Sequence, residues 1–349
     1  MSNTLHFNEL PRPTFRWLKV NHTEGNVWAG TEQATVTVEG SKHIVTDITN
    51  KEVLEPSYEG VHAGALRDAS HHFTHGYHIQ VPAGAKEAVT IVIDVQGAVS
   101  ERTRLQIEAE KDSTLELTLC LKGEATDGHV GLLSEIISHT GASVVFKKVQ
   151  LLTGKVQQFE HRYTRVEESG HVEFINIELG GSENFLNYQE DLVGDYAEVE
   201  HDLGYCGTDT QVFDIAMLMK HIGRKTISNI NNLGALNGSS KKSFRGTLDF
   251  LRGSIASEGA EEDTCLLLTP QVKSISLPLL LCKEDNVSGN HASSAGQLDQ
   301  AKLFYLMSRG FNEDEAKHII VESMLRPLID RIGNEEVEET ALAVLRQKI

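Results

Sequence analysis

Between Tyr77 and Cys282 the chain consists almost wholly of short strand-like runs broken by polar turns. No run in this span has both the length and the 3.6-residue periodicity of a helix. The runs either alternate or are continuously apolar, as in "AVTIVIDVQG", "TLELTLCLKG", "ASVVFKKVQLL", "HVEFINIELG" and "QVFDIAMLMK". Between them lie "EKDS", "SHTGA", "EESGH", "VGDY" and "NGSSKK", rich in residues that supply left-handed or Asx turn geometry. A doubly wound α/β fold needs a helix between strands and is excluded. "TGASVVF", "SGHVEFI" and "GDYAEVEH" begin about 25 to 30 residues apart, the period of a β-solenoid whose single coils cannot bury their own core. On pattern alone a β-sandwich or barrel also stays open.

The flanks differ from this span. Residues 1–75 are mixed: "PRPTFRWLKVN" is extended, since Pro11 and Pro13 forbid a helix interior, and "ATVTVEG" reads as a strand. Residues 76–297 form the β core, and residues 298–349 are helical. Asp299 is the expected N-cap of a helix with the apolar stripe Leu303, Phe304, Leu306 and Met307, and Gly310 suits its C′ position. Asn312 with Glu315 is a capping box. The next helix carries Ala316, Ile319, Ile320, Ser323, Pro327 and Leu328 on one face, and Pro327 is expected to end or kink it near Arg326. "EEVEETALAVLRQKI" completes the helical part, acidic in its first turn and basic in its last.

Charge narrows the partners. With 50 acidic against 32 basic residues the net charge is −18, which repels phosphate backbones and anionic membrane surfaces. No apolar run approaches the ~20 residues that span a bilayer, and the start carries no basic and apolar leader. A cytoplasmic location is expected. The four cysteines, Cys120, Cys206, Cys265 and Cys282, fit a reducing compartment and form no CxxC pair, so each reads first as a small buried hydrophobe.

Three constellations could carry chemistry. His71, His72, His75 and His78 crowd "SHHFTHGYH", but Gly76 and the β-run after it argue against the helix that would align them, and a hydrated loop is the plainer reading. Cys265 and Cys282, placed on neighbouring strands, would stand with His291 as thiolate and imidazole ligands of the kind iron–sulfur chemistry uses. Upstream of them, Glu258, Glu261, Glu262 and Asp263 read as a solvated turn. No phosphate-binding loop and no nucleophile elbow is present, so ATP hydrolysis, if involved, belongs to another subunit.

The order "GTLDFLRGSIASEGAEEDTCLLLTPQVKSISLPLLLC", a His-containing small-residue turn, then "GQLDQAKLFYLMSRGF" resembles the SufB/SufD family of iron–sulfur cluster assembly proteins. "HGYHIQVPAG" and "PRPTFRWLKVN" extend the likeness, which covers about residues 60–349 well. The resemblance implies a mainly β protein: a right-handed parallel β-helix core followed by a small C-terminal α-helical domain. It further implies a non-enzymatic scaffold that pairs with a SufB-type protein, or with a second copy of this chain, and binds a SufC-type ATPase. An iron–sulfur cluster would form transiently at the interface between two β-helices. His291 matches the SufD-type histidine there, followed by Ala292 where SufB-type proteins have Glu. Asp263 falls opposite the SufB scaffold cysteine and Cys265 lies two residues off, a departure from the family pattern that counts against direct sulfur acceptance and leaves Cys265 as a candidate cluster ligand. The ATPase-binding helices correspond to Asp299–Gly310 and Asn312–Ile332, with Leu303, Phe304, Tyr305, Arg309 and Gly310 as contact candidates. Two rival readings follow from the residues alone, a β-helix carbohydrate-active enzyme and a metalloprotein built on His71–His78.

Overall fold

The repeat reads directly off the backbone. In a computed structural model, which describes residues 5–12 and 16–349, successive turns begin at Lys86, Thr114, Ser143, His171, Glu198, Ile227, Ser257 and Val287. The turns stack with parallel pairing into a β-solenoid of about eight coils, so the sandwich and barrel readings drop out. Each coil contributes to two walls. Wall A contains Ser143–Gln150, His171–Glu178, Glu198–Gly207, Ile227–Leu236, Ser257–Leu267 and Val287–Gln297. Wall B contains Gln157–Val166, Glu183–Leu192, Val212–His221 and Lys241–Phe250, then the pair Lys273–Ser276 and Leu279–Cys282. The long strands Lys86–Ala109 and Thr114–Ser138 run through both walls.

The corner leading from wall B to wall A has one rule. Gly84, Asp112, Gly141, Ser169, Tyr196, Lys225 and Ala256 all take positive φ, one per coil. A single left-handed residue reverses the chain there. Its amide bonds the next coil, as in Ser169 N–H to Asp195 C=O and Tyr196 N–H to Arg224 C=O, both at 2.9 Å. Glycine, aspartate and serine at these corners follow turn chemistry. Tyr196, Lys225 and Ala256 hold the same conformation because the stacked coils impose it.

Side chains alternate in and out along each strand, and the inward ones fill the lumen with aliphatic and aromatic layers from Val89 to Phe250. Both walls begin under short antiparallel strands: Thr35–Gly40 pairs with the first coil on wall A, and Val45–Asp47 pairs with His75–Val81 on wall B. Among the described residues, Val287–Gln297 pairs only with Ser257–Leu267. The solenoid therefore has one end made of short antiparallel strands and one open end made of a full-length parallel strand.

The N-terminal segment lies across the outside of wall B. Phe7 is fully buried against Phe159 and Phe185, and Asn8 donates to Leu186 C=O and Asp214. Arg16–Leu18 forms one 3-10 turn, and Pro13 to Phe15 of the expected extended stretch lie outside the described residues. Residues 63–71 form helix α1 (Ala63–His71) within what the sequence reads as irregular chain, its N-cap being the His62 ring.

Helices α2 (Gln300–Ser308), α3 (Glu313–Ile329) and α4 (Glu335–Gln347) close the chain, with Asp299, Asn312 and Asn334 as N-caps. Helices α3 and α4 pack their buried residues on the outward face of wall A, over Val149, Ile175, Ile177 and Cys206. Two expectations are corrected here. Helix α3 does not stop at Arg326 but runs through Pro327 to Ile329, because Leu325, Leu328 and Ile329 are held against that wall. Its buried stripe is Ala316, Val321, Leu325, Leu328 and Ile329, which leaves Ile319 exposed.

Candidate functional site

At the open end, parallel register stacks the inward side chains of wall A in columns. His291 sits above Glu261, which sits above Ile230 and then His201. Directly paired residues of parallel strands point to the same side, so His291 lies on the lumen side of the last strand, at the rim and exposed. In the next column Ser293 lies over Asp263 and Asn232, and in the third Ala295 lies over Cys265, Gly234 and Tyr205.

The acidic segment expected as a solvated turn is a strand, Ser257–Leu267, and its alternation sends Glu261, Asp263 and Cys265 inward. Only Glu258 and Glu262 face out to solvent. Lys242, on wall B and 1% exposed, reaches across and donates to Asp263 at 2.5 Å. Asp263 Oδ1, Glu261 Oε2, both amide atoms of Asn232 and Ser276 Oγ have no hydrogen-bond partner among the described residues. Burial pushes the Glu261 carboxyl up to about 7; the charge of Asp263 adds to the shift and Lys242 opposes it.

Glycines make the room. A Cβ on Gly246 would sit 2.2 Å from Glu261 Oε2, and one on Gly234 would sit 2.0 Å from the Tyr205 ring. The missing side chain at Gly234 lets Tyr205 extend up its column toward the Cys265 thiol, which burial pushes to higher pKa. A raised thiol is a poor nucleophile at neutral pH; hydrogen bonding with Tyr205 and the charge of Lys242 oppose the shift without cancelling it.

Deeper in the lumen lies a second polar layer with every member fully buried. Lys148 bonds Glu160 and Glu178, and Arg162 bonds Glu160 at 2.5 Å and Asn176 at 3.0 Å. The Arg162 guanidinium is packed among the rings of Phe146, Phe174 and Tyr188, 4.3 to 4.6 Å from their centroids. Burial alone would raise the Glu160 carboxyl, but the charges of Lys148 and Arg162 hold it low. Glu190, 3.2 Å from His201, is pushed by burial up to about 8. Burial pushes His201 far below the ordinary imidazole range.

The cysteine geometry differs from expectation. Cys265 and Cys282 are not on neighbouring strands: Cys265 shares wall A with His291, whereas Cys282 is exposed on wall B and pairs in register with Phe250. Cys120, Cys206 and Cys265 are the buried thiols. The His71–His78 set is dispersed. His71 bonds Ser70 at the end of α1, His72 bonds Asp68, His75 bonds Glu101, and His78 faces Glu108 from a strand. This stretch is a helix end and a strand rather than a loop, and its rings meet different carboxylates.

On helix α2 only Leu303 is buried. Phe304 is 74% exposed, and Tyr305, Met307 and Phe311 are also open to solvent. Arg309 caps the helix, lies 5.2 Å over the Tyr305 ring and leads into Gly310 at φ 101°. Tyr305, Leu306, Ile319 and Ile320 line a cleft between α2 and α3. The residues that sequence reading missed are Lys242, Asn232 and Tyr205, and Glu261 was read as part of a solvated turn. Their signal is positional, since each is polar at an inward step of a strand.

Fold and site define a class: a parallel β-helix protein with a polar, histidine-rimmed open end and a helical flank carrying exposed aromatic residues. The chain belongs to the SufB/SufD family, whose core domain, described as SUF system FeS cluster assembly, SufBD core domain, matches residues 90–324. It is 27% identical over 230 residues to the iron–sulfur cluster assembly protein SufD of Bacillus subtilis, covering 64% of this chain and 51% of that protein. A SufBD family protein of Staphylococcus haemolyticus is 28% identical over 206 residues, 59% of this chain and 44% of its own. One of Mycobacterium tuberculosis is 27% identical over 202 residues, 58% of this chain and 24% of its own. The chain thus spans about half the length of the first of these relatives and less of the others. No described helix is long and apolar enough to cross a membrane.

Proposed function

We propose that this chain is a non-catalytic scaffold subunit of SUF iron–sulfur cluster assembly. A nascent cluster is its cargo, received at the open end of the β-helix where His291 meets a partner subunit. The observation that carries the reading is the placement of an exposed imidazole directly above the buried Glu261, with the Asp263–Lys242 pair in the neighbouring column. Imidazole and carboxylate are ligands for iron, and the free edge of the last strand offers main-chain groups to a second β-helix. That second β-helix is a SufB-type protein or another copy of this chain. Cys265 is buried with a raised thiol, which favours a supporting role over sulfur acceptance. The exposed face of α2 with Phe304, Tyr305, Arg309 and Gly310 fits the docking of a SufC-type ATPase, and Leu303 anchors that helix from beneath.

Co-expression with the cognate SufC-type and SufB-type proteins, followed by anaerobic absorption spectroscopy, tests both halves. The expected result is a stable complex that acquires cluster absorption, with His291→Ala lowering the cluster yield at least about tenfold while the complex persists. Absence of any complex, together with normal cluster yield in His291→Ala, refutes the proposal.

A further inference from the structure

The N-terminal hairpin gathers a set of ligating groups that the open-end site does not use. His6 lies on the strand Leu5–Phe7 and Glu24 on Thr23–Gly25, and the two are register partners. His22 precedes the second strand, and its ring stacks on His6 with centroids 3.8 Å apart. Glu9 Oε1 is 3.0 Å from His6 Nδ1. One donor atom each from His6, Glu9 and His22 lies within 4.8 Å of the other two. A second carboxylate, Glu24 Oε1, stands 3.8 Å from His22 Nε2.

We infer that this hairpin is a binding site for a first-row divalent transition-metal ion, with His6, Glu9 and His22 as ligands. Two imidazoles and one carboxylate on a single face leave coordination positions open, a donor set suited to ions of the Fe2+ to Zn2+ series. Donors about 2.1 Å from an ion and cis to each other are about 3 Å apart. The His6–Glu9 pair already has that spacing, whereas the His22 ring, stacked on His6, must turn for its nitrogen to face the same ion. The carboxylates of Glu9 and Glu24 together balance the charge of one divalent cation.

The scaffold under the site is rigid although its ligands are not buried. Phe7 is locked among Phe159 and Phe185, and Asn8 is fully buried with bonds to Leu186 C=O and Asp214. Leu10 N–H to Asn21 C=O at 2.9 Å ties the two limbs of the hairpin together. Backbone positions of all three ligands are therefore set before an ion arrives, which lowers the ordering cost of binding. His6 and Glu9 also line a cleft of about 670 Å3 between this segment and wall B, so the open coordination positions have room for a further ligand.

The test is an anaerobic titration of tag-free full chain with Co2+, read by visible absorption and stoichiometry in the His291→Ala background, which separates this site from the open end. One Co2+ per chain is expected, retained in His139→Ala, which removes the nearby-carboxylate cluster Glu108, Glu110 and His139. Affinity should fall at least about tenfold in His6→Ala and in His22→Gln, with unchanged circular dichroism. The inference is overturned by no stoichiometric uptake, by unaltered affinity in His6→Ala and His22→Gln, or by loss of uptake in His139→Ala alone.

Discussion

Replacing Lys242 by methionine probes the open-end cluster most directly. Lys242 and Asp263 are each 1% exposed, Glu261 is 4% exposed, and the charge of Lys242 acts on Glu261. Methionine keeps the length and apolar stem but leaves two buried carboxylates facing each other without a counter-ion. Removing one partner of a buried pair costs about 3–5 kcal/mol. The loss should depend on pH with a definite sign. The folded-state pKa of Glu261 is already raised to about 7 above its ordinary value of 4.5, so its contribution declines as pH rises between those values. Without Lys242 the folded carboxyl rises further, and the decline continues to higher pH. Urea unfolding followed by circular dichroism should therefore show a larger loss at pH 8 than at pH 5. Adding Asp263→Asn to Lys242→Met should return about 2 kcal/mol at pH 8 through the coupling of adjacent groups. A loss below about 1 kcal/mol at both pH values, or no pH dependence, would refute the reasoning that these charges are buried and interdependent.

Glu190→Gln should flatten the fall in stability between about pH 5 and pH 8. Burial raises the folded-state pKa of Glu190 to about 8, so this group alone contributes a loss of about 1.4 kcal/mol per pH unit over that range, measurable by comparing denaturant titrations of wild type and variant. Ala256→Gly should stabilise by about 0.5–1 kcal/mol, since φ of 60° strains an alanine but not a glycine; a lower midpoint would contradict the corner rule. Phe304→Asp should leave the unfolding midpoint unchanged and abolish capture of the SufC-type ATPase in a pull-down, because the ring is 74% exposed.

The repeat was legible because the corners recur: glycine, aspartate or serine at Gly84, Asp112, Gly141 and Ser169 mark successive coils. The helix caps Asp299 and Asn312 were equally plain, since capping is a local interaction. What stayed hidden depends on register. Glu261 and Asp263 look like a hydrated acidic run until their strand is paired with Ile227–Leu236, which turns alternate residues inward. Lys242 comes from the opposite wall, and no spacing along the chain announces that it meets Asp263. Pro327 misled for a related reason: the wall beneath Leu325 and Ile329 decides where that helix ends, and propensity does not. The crowded histidines at 71–78 were conspicuous in the sequence and are apart in space, whereas His6 and His22, sixteen positions apart, are stacked.

The two ends of the solenoid are unlike, and the difference bears on how molecules can join. Thr35–Gly40 and Val45–Asp47 offer outer edges of six and three residues, while Val287–Gln297 offers one of eleven. Two copies meeting through the long edge can pair over its full length, whereas a head-to-tail contact is limited by the short strands. Filament growth needs that head-to-tail contact on every copy, so this geometry favours an isologous pair. The short leading strands, minor by length, thus weigh against open-ended assembly.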